Sequence, residues 1–129
     1  MFAARFFAGV SLGVGLLATI GCGGNGSGCA ITGVNVVPST ATADHAAPAP
    51  GNSQTFTASF QLPNNSDCAV PAVLEPFNWT ASDPSVHLST SPTVMVTATC
   101  TAALANPVTI TATPTNGQML TGKGSLTCN

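Results

Sequence analysis

Charge is the property that this chain has least of. Only 5% of its 129 residues are charged, with two basic and four acidic side chains. Arg5 lies in the first segment, so Lys123 is the one basic residue in the remainder of the chain. Nucleic-acid-binding proteins neutralise phosphates with clusters of lysine and arginine, so this balance excludes nucleic acid as a partner. It also leaves no basic patch that could bind an anionic membrane surface.

Aromatic residues are scarce as well. The chain has no tyrosine and a single tryptophan, Trp79, and beyond the first segment it has only Phe56, Phe60 and Phe77 in addition. All four occupy positions predicted to face inwards, so they are the predicted structural core. No aromatic platform is then left on which a sugar ring could stack. A carbohydrate site would have to use polar loops alone, and it remains the alternative to a protein-interaction role.

Motifs that support catalysis or metal binding are missing. There is no C-x-x-C pair, no G-x-S-x-G turn and no glycine-rich phosphate loop with its lysine. His87 follows Asp83 by four residues, but on a turn and a strand this spacing does not bring the side chains together. His87 is predicted to be an outward strand residue, and His45 to be solvated. We therefore expect no enzyme, no cofactor and no metal site.

Residues 1–21 have the pattern of a signal peptide. Arg5 precedes an uncharged apolar run of 15 residues, Phe6–Ile20, which is shorter than the roughly 20 residues of a membrane-spanning helix. Thr19-Ile20-Gly21-Cys22, followed by glycine-rich residues 23–28, resembles a bacterial lipoprotein signal, although leucine is commoner where Thr19 stands. The resemblance implies that Cys22 is lipidated and that residues 22–28 are a tether. The alternatives are an ordinary secretory signal with a free Cys22 thiol, and an uncleaved anchor.

The signal-like segment, residues 1–22, predicts the location of the protein. Membrane association would come from the acyl chains on Cys22, and Gly23 resembles the default for sorting to the outer membrane. We therefore expect an exported protein that is anchored to the bacterial cell envelope, at the outer membrane. The other four cysteines are an even number in an exported domain of about 100 residues, which indicates disulfides. They are Cys29, Cys68, Cys100 and Cys128.

The rest of the chain, residues 29–129, is predicted to be one β domain. Phe77, Trp79 and Ala81 alternate with polar residues, residues 82–85 supply a turn, and Val86 and Leu88 continue the alternation. Asn116-Gly117 is a hairpin signal, since both residues tolerate positive φ. Similar patterns predict strands over 31–37, 53–60, 93–100, 108–113 and 122–128, with a proline-containing edge or crossing segment over 39–51. About seven short strands predict an antiparallel β-sandwich.

Four sequence segments in order carry a family resemblance. ITGVNVVPSTAT, SQTFTASF, FNWTASDPSV and NPVTITATPTNG are similar to a bacterial immunoglobulin-like domain of group 2. The matching positions are Val34, Val36 and Pro38, then Gln54, Phe56 and Ala58, then Trp79 and Ser82–Ser85, then Thr109–Thr113. The resemblance spans about 31–127 and implies an immunoglobulin-like sandwich of the kind found in adhesins and large surface proteins. The cysteines are not part of the family pattern, and its glycine-rich middle segment is missing.

The immunoglobulin-like fold implies a disulfide pairing. Strands alternate in direction, which places Cys29 and Cys68 at one end and Cys100 and Cys128 at the other. We therefore expect Cys29–Cys68 and Cys100–Cys128, a pattern that excludes the sheet-to-sheet bond of antibody domains. The functional expectation is a structural or adhesive module without catalysis, with an unidentified envelope protein or surface as its partner. An accessory ligand- or carbohydrate-binding lipoprotein is the alternative.

Overall fold

The fold consists of two packed β-sheets. The computed structural model describes residues 30–63 and 76–129, and these residues form strands but no helix. Eight strands are present: β1 (Gly33–Val37), β2 (Thr40–Ala43), β3 (Ser53–Gln61), β4 (Phe77–Ala81), β5 (Val86–Leu88), β6 (Met95–Cys100), β7 (Val108–Pro114) and β8 (Gly122–Cys128). One sheet has the order β1-β3-β6-β5 and the other the order β2-β8-β7-β4. This is the strand arrangement of an immunoglobulin-like sandwich, and the predicted fold class is confirmed.

Alternating burial explains why these segments form strands. In β7 every second residue is buried, from Val108 through Ile110 and Ala112 to Pro114, while the threonines between them are only partly buried. β3 and β8 follow the same rule around Phe56 and Leu126, both of which are fully buried. Side chains on successive strand residues point to opposite faces, so the apolar set of each strand fills the space between the sheets.

The chain changes sheets at Pro38. β1 pairs with β3 in the first sheet, whereas β2, only two residues later, pairs with β8 in the second sheet. Residues 39–51 were expected to form an edge or crossing segment, and β2 is indeed an edge strand. Its pairing with β8 is parallel, so the sandwich is not antiparallel throughout, and the described strands number eight rather than about seven.

β6 begins later than the expected strand over 93–100. Thr93 pairs instead with Phe77 of the opposite sheet, with hydrogen bonds of 3.1 Å and 3.0 Å between their backbone groups. Val94 lies in the segment that was predicted to be a strand, but it is only partly buried and precedes β6. The physical reason is that residues 91–94 cross between the sheets, so the regular alternation starts only at Met95.

The two sheets approach closely where β8 carries glycine. An added Cβ at Gly122 would lie 2.7 Å from Val34 Cγ1 and 2.8 Å from the Val34 carbonyl oxygen. An added Cβ at Gly124 would lie 2.9 Å from a Phe56 ring carbon and 3.1 Å from the Pro38 carbonyl oxygen. β1 therefore closes one side of the sandwich against β8 because these two positions have no side chain.

Candidate functional site

The predicted core aromatics are removed from the surface. Phe56, Phe77 and Trp79 are 0%, 2% and 5% exposed, while Phe60 is partly buried and packs against Phe77 with their ring centroids 5.2 Å apart. The indole Nε1–H of Trp79 donates a 2.8 Å hydrogen bond to the Thr93 carbonyl oxygen. The polar atom of the largest core side chain is therefore satisfied inside the sandwich.

Segment 91–93 also covers the free edge of β4. Besides the backbone pairing of Phe77 with Thr93, the Trp79 backbone N–H donates a 3.1 Å hydrogen bond to the Ser91 hydroxyl oxygen. An edge strand with free N–H and C=O groups could otherwise pair with another chain. No local sequence pattern indicates this arrangement, because it depends on a contact between the two sheets.

Cys100 and Cys128 form a disulfide, as the immunoglobulin-like resemblance implies. Both side chains are 1% exposed, and their Cα atoms are 5.7 Å apart. Cys100 ends β6 of the first sheet and Cys128 ends β8 of the second sheet. The bond joins strands other than those joined by the antibody disulfide, but it does connect the two sheets. The expectation that it would not connect them is therefore wrong. Cys22, Cys29 and Cys68, with the predicted Cys29–Cys68 bond, lie outside the described residues.

Among the described residues, the two histidines and the carboxylates of Asp44 and Asp83 do not form a common site, although His45 Nδ1 lies 4.0 Å from Asp44 Oδ1. Asp83 Oδ1 accepts a 2.8 Å hydrogen bond from the Ser85 backbone N–H, so this carboxylate shapes the turn that was predicted over residues 82–85. His87 is exposed on β5, opposite Thr99. His45 is also exposed, and its Nδ1 contacts the Asn129 carbonyl oxygen. Within residues 30–63 and 76–129, no group of three histidine, cysteine or acidic side chains could hold a metal ion.

The outer faces of both sheets carry hydroxyl side chains. On the first sheet the Thr55 and Thr97 hydroxyls lie 3.4 Å apart on neighbouring strands. On the second sheet Thr80, Thr111 and Lys123 occupy one row across three strands. A β-branched hydroxyl residue suits a solvated pleated surface, so this composition follows from the fold.

Internal hydrogen bonds hold the loops at the end of the sandwich where Cys128 lies. We define the Cys128 end as loops 44–52, 82–85 and 101–107. Asp44 Oδ1 accepts a hydrogen bond from the Ala46 N–H at 3.0 Å, the Thr101 hydroxyl donates to the Ser85 carbonyl oxygen at 2.8 Å, and the Leu104 N–H donates to the Cys128 carbonyl oxygen at 2.9 Å. These bonds and the disulfide fix the loops relative to one another.

The opposite end carries an exposed apolar side chain. We define the Gly33 end as residues 30–32, 62–63 and 115–121, which adjoin the start of β1, the end of β3 and the start of β8. Met119 in loop 115–121 is 99% exposed. A turn lies at Asn116-Gly117, but only Gly117 has a positive φ, of 80°. The predicted hairpin is wrong as a tight turn, because the last β7–β8 pair is Ala112 with Gly122 and the loop between the strands is long.

A surface depression at the Gly33 end is lined by Thr32, Gln61, Leu62 and Pro63. It has no charged side chain in its lining. None of the residues that the structure describes belongs to a helix that could cross a membrane. The protein-family models and the curated proteins with which the sequence was compared yield no match.

Proposed function

We propose that the protein is a lipid-anchored module of the bacterial cell envelope, exported to the outer membrane, with a structural or adhesive role and no catalysis. The domain is proposed to be an immunoglobulin-like domain of group 2, held to the membrane by acyl chains on Cys22. Its partner is another envelope protein or a surface. The signal-like residues 1–21, the Thr19–Cys22 motif and the immunoglobulin-like strand order support this proposal.

The observation that carries the interaction role is the position and construction of the Cys128 end. β1 begins at the opposite end of the sandwich, so a chain anchored at Cys22 enters the domain there. The Cys128 end would then point away from the anchor. Its loops are fixed by hydrogen bonds and by the Cys100–Cys128 bond, so little conformational entropy would be lost when they bind a partner.

The burial of the aromatic side chains favours protein contact over carbohydrate binding. Phe56, Phe77 and Trp79 lie between the sheets, and Phe60 packs against Phe77, so no described aromatic ring offers a flat exposed face to a sugar. The loops of the Cys128 end instead offer hydroxyl groups, backbone groups and the carboxylates of Asp44 and Asp83. Polar surfaces of this kind occur in many protein–protein interfaces.

The test is to express the full chain in a bacterium and to follow its processing and partitioning. The wild-type chain is expected to enter the detergent phase, with an unreduced mass equal to residues 22–129 plus acyl groups, less the hydrogens lost to two disulfides. Cys22→Ser is expected to remain unacylated and to leave the detergent phase. Cys29→Ser is the matched control, because it removes a nearby thiol outside the signal motif and should leave the protein acylated.

Two results would contradict the proposal. A mature protein that starts at a residue other than Cys22 would exclude the lipid anchor. Saturable binding of the acylated protein to a glycan array, without a stable protein partner in cross-linked envelopes, would replace the interaction role with carbohydrate binding.

A further inference from the structure

We propose that Asn116 is a site of spontaneous modification, at which the side-chain amide is converted to a carboxylate through a cyclic imide with the backbone nitrogen of Gly117. The folded conformation of loop 115–121 favours this reaction instead of protecting the asparagine. The proposal concerns the domain itself and holds whether or not Cys22 is acylated. Its product places a negative charge at the Gly33 end, where residues 30–32, 62–63 and 115–121 include no charged side chain.

The backbone at Gly117 gives the first reason. The reaction requires the side-chain carbon Cγ of Asn116 to meet the amide nitrogen of the next residue, and a side chain on that residue would hinder the approach. Gly117 has no side chain, and its φ of 80° is a conformation that other residues rarely adopt. A Cβ added there would meet no atom within 4 Å, so the described structure leaves this side of the peptide open.

A hydrogen bond to the side chain of Asn116 gives the second reason. Asn116 Oδ1 accepts from the Gln118 N–H at 3.2 Å, so the side chain is folded back over the peptide group that joins Asn116 to Gly117. This arrangement keeps the two reacting atoms within the same short turn. When the nitrogen attacks Cγ, negative charge develops on Oδ1, and the N–H that already donates to this oxygen stabilises the charge.

The position of the turn outside the sheets gives the third reason. The last pair of the β7–β8 ladder is Ala112 with Gly122, so closing a ring at Asn116 breaks no ladder hydrogen bond. Asn35 and Asn78 differ in both respects. Each lies inside a strand and is paired across a ladder, and each is followed by a residue with a large side chain. These two asparagines should therefore keep their amides.

The steps of the reaction balance without a cofactor or an oxidant. Hydroxide removes the proton from the Gly117 amide nitrogen, and the nitrogen forms a bond to Asn116 Cγ. The Cγ–Nδ2 bond then breaks and ammonia leaves with a proton taken from water. Water finally opens the imide ring. Opening at Cγ gives aspartate, whereas opening at the backbone carbonyl gives isoaspartate, in which the main chain passes through the former side chain.

The experiment compares the folded and the unfolded chain. The full chain, with its disulfide intact, is incubated at mildly alkaline pH in buffer alone and in guanidinium chloride at a concentration that unfolds it. Samples taken over time are digested with pepsin at acid pH, and mass spectrometry of the peptides follows the conversion of amide to acid at each asparagine. Peptide mapping separates Asn116 from Asn25-Gly26, the same dipeptide in a part of the chain outside the described residues.

We expect Asn116 in the folded chain to convert at least as fast as it does in the unfolded chain, and both rates to rise with pH. Asn35 and Asn78 should convert much more slowly than Asn116 in the folded chain. A folded-state rate at Asn116 below the unfolded-state rate would overturn the proposal, because the fold would then protect this asparagine. Conversion of Asn35 or Asn78 as fast as Asn116 in the folded chain would overturn it too.

Two substitutions at Gln118 test the hydrogen bond to Asn116. Gln118→Ala keeps the backbone N–H and should leave the folded-state rate unchanged, whereas Gln118→Pro has no N–H to donate and should lower that rate several-fold. Trp79 fluorescence establishes that both variants are folded. Equal folded-state rates in the two variants would contradict the role of the Gln118 N–H.

A third variant tests the imide itself and does not depend on folding. Gly117→Ala should slow the conversion of Asn116 in the unfolded chain as well, because the new methyl group hinders the approach of the nitrogen to Cγ. An unchanged rate in this variant would show that water attacks the amide directly, and the proposed route through Gly117 would be wrong.

Discussion

Individual residues in this sandwich are constrained chiefly by the distance between the two sheets. Trp79 fits between the sheets because its Nε1–H donates a hydrogen bond to the carbonyl oxygen of Thr93, in the segment that crosses between them. Gly122 and Gly124 satisfy it by having no side chain where β8 meets β1 and Phe56. These positions contribute little apolar area themselves but permit the contact that buries their neighbours.

Gly124→Ala is therefore expected to destabilise the domain by about 1–3 kcal/mol, because overpacking a close-packed core displaces side chains and backbone. The new methyl would contact the Phe56 ring and the Pro38 carbonyl oxygen, neither of which is the free end of a flexible side chain. The measurement is the urea-unfolding midpoint of the oxidised protein.

Gly33→Ala is the matched control for this substitution. Gly33 also lies in a strand, but an added Cβ there would meet only the side-chain atoms of Gln61, which can move aside. Its effect should be small or even stabilising, because alanine has less conformational freedom than glycine in the unfolded chain. If Gly124→Ala were as stable as Gly33→Ala, close packing between β8 and Phe56 would not limit the sheet spacing.

At the scale of the strands, the Cys100–Cys128 bond connects two elements that share no hydrogen-bonded ladder. It closes a loop with a sequence separation of 28 residues. In the chain-entropy description, such a loop stabilises the folded state by about 3.5 kcal/mol. The double variant Cys100→Ala/Cys128→Ala should lose a free energy of unfolding of this order, measured by urea denaturation without reductant.

A control for the disulfide prediction is the wild-type protein unfolded with and without reductant. Reduction should lower the midpoint at least to that of the double variant. A loss of less than about 1 kcal/mol in the double variant would mean that the sheets hold their spacing without the bond and that its entropic effect is offset by strain.

Alternating sequence patterns predicted the strands well, because period-two burial is a local property of the chain. Phe56 is buried as expected, and the strands predicted over 53–60 and 108–113 are present as β3 and β7. The start of β6 and the parallel pairing of β2 with β8 were not predicted. The first depends on a contact between the sheets, of Thr93 with Phe77, and the second on the pairing of Ala41 with Leu126 within one sheet. No short sequence window contains either pair of residues.

The candidate surfaces were less predictable than the fold. Asn116-Gly117 indicated a hairpin, and a turn lies there, but the loop is too long for a tight hairpin. Nothing in the sequence separated Met119, which is exposed, from Leu120, which packs against the core. The outward position of His87 was predicted from alternation and is confirmed. The Cys100–Cys128 pairing came from the family resemblance, and its connection between the two sheets required the three-dimensional arrangement.

The described strands of both sheets contribute to one hydrophobic core. We therefore expect the domain to unfold in one transition with the disulfide intact. Trp79 fluorescence reports on β4 of the second sheet, while far-UV circular dichroism reports on both sheets. Their urea midpoints should coincide. A fluorescence midpoint clearly below that of the dichroism would show that the second sheet opens before the first.

The Cys100–Cys128 disulfide also determines how the domain would respond to a mechanical load applied between its two ends. Tension directed from Gly33 towards Cys128 runs along the parallel pair β2 and β8, so their hydrogen bonds would be sheared together rather than unzipped singly. If the sheets then separated, the bond would keep the chain between Cys100 and Cys128 from extending. That segment corresponds to about 100 Å of contour length at full extension. An oxidised domain under load would thus yield by a shorter distance than a reduced one.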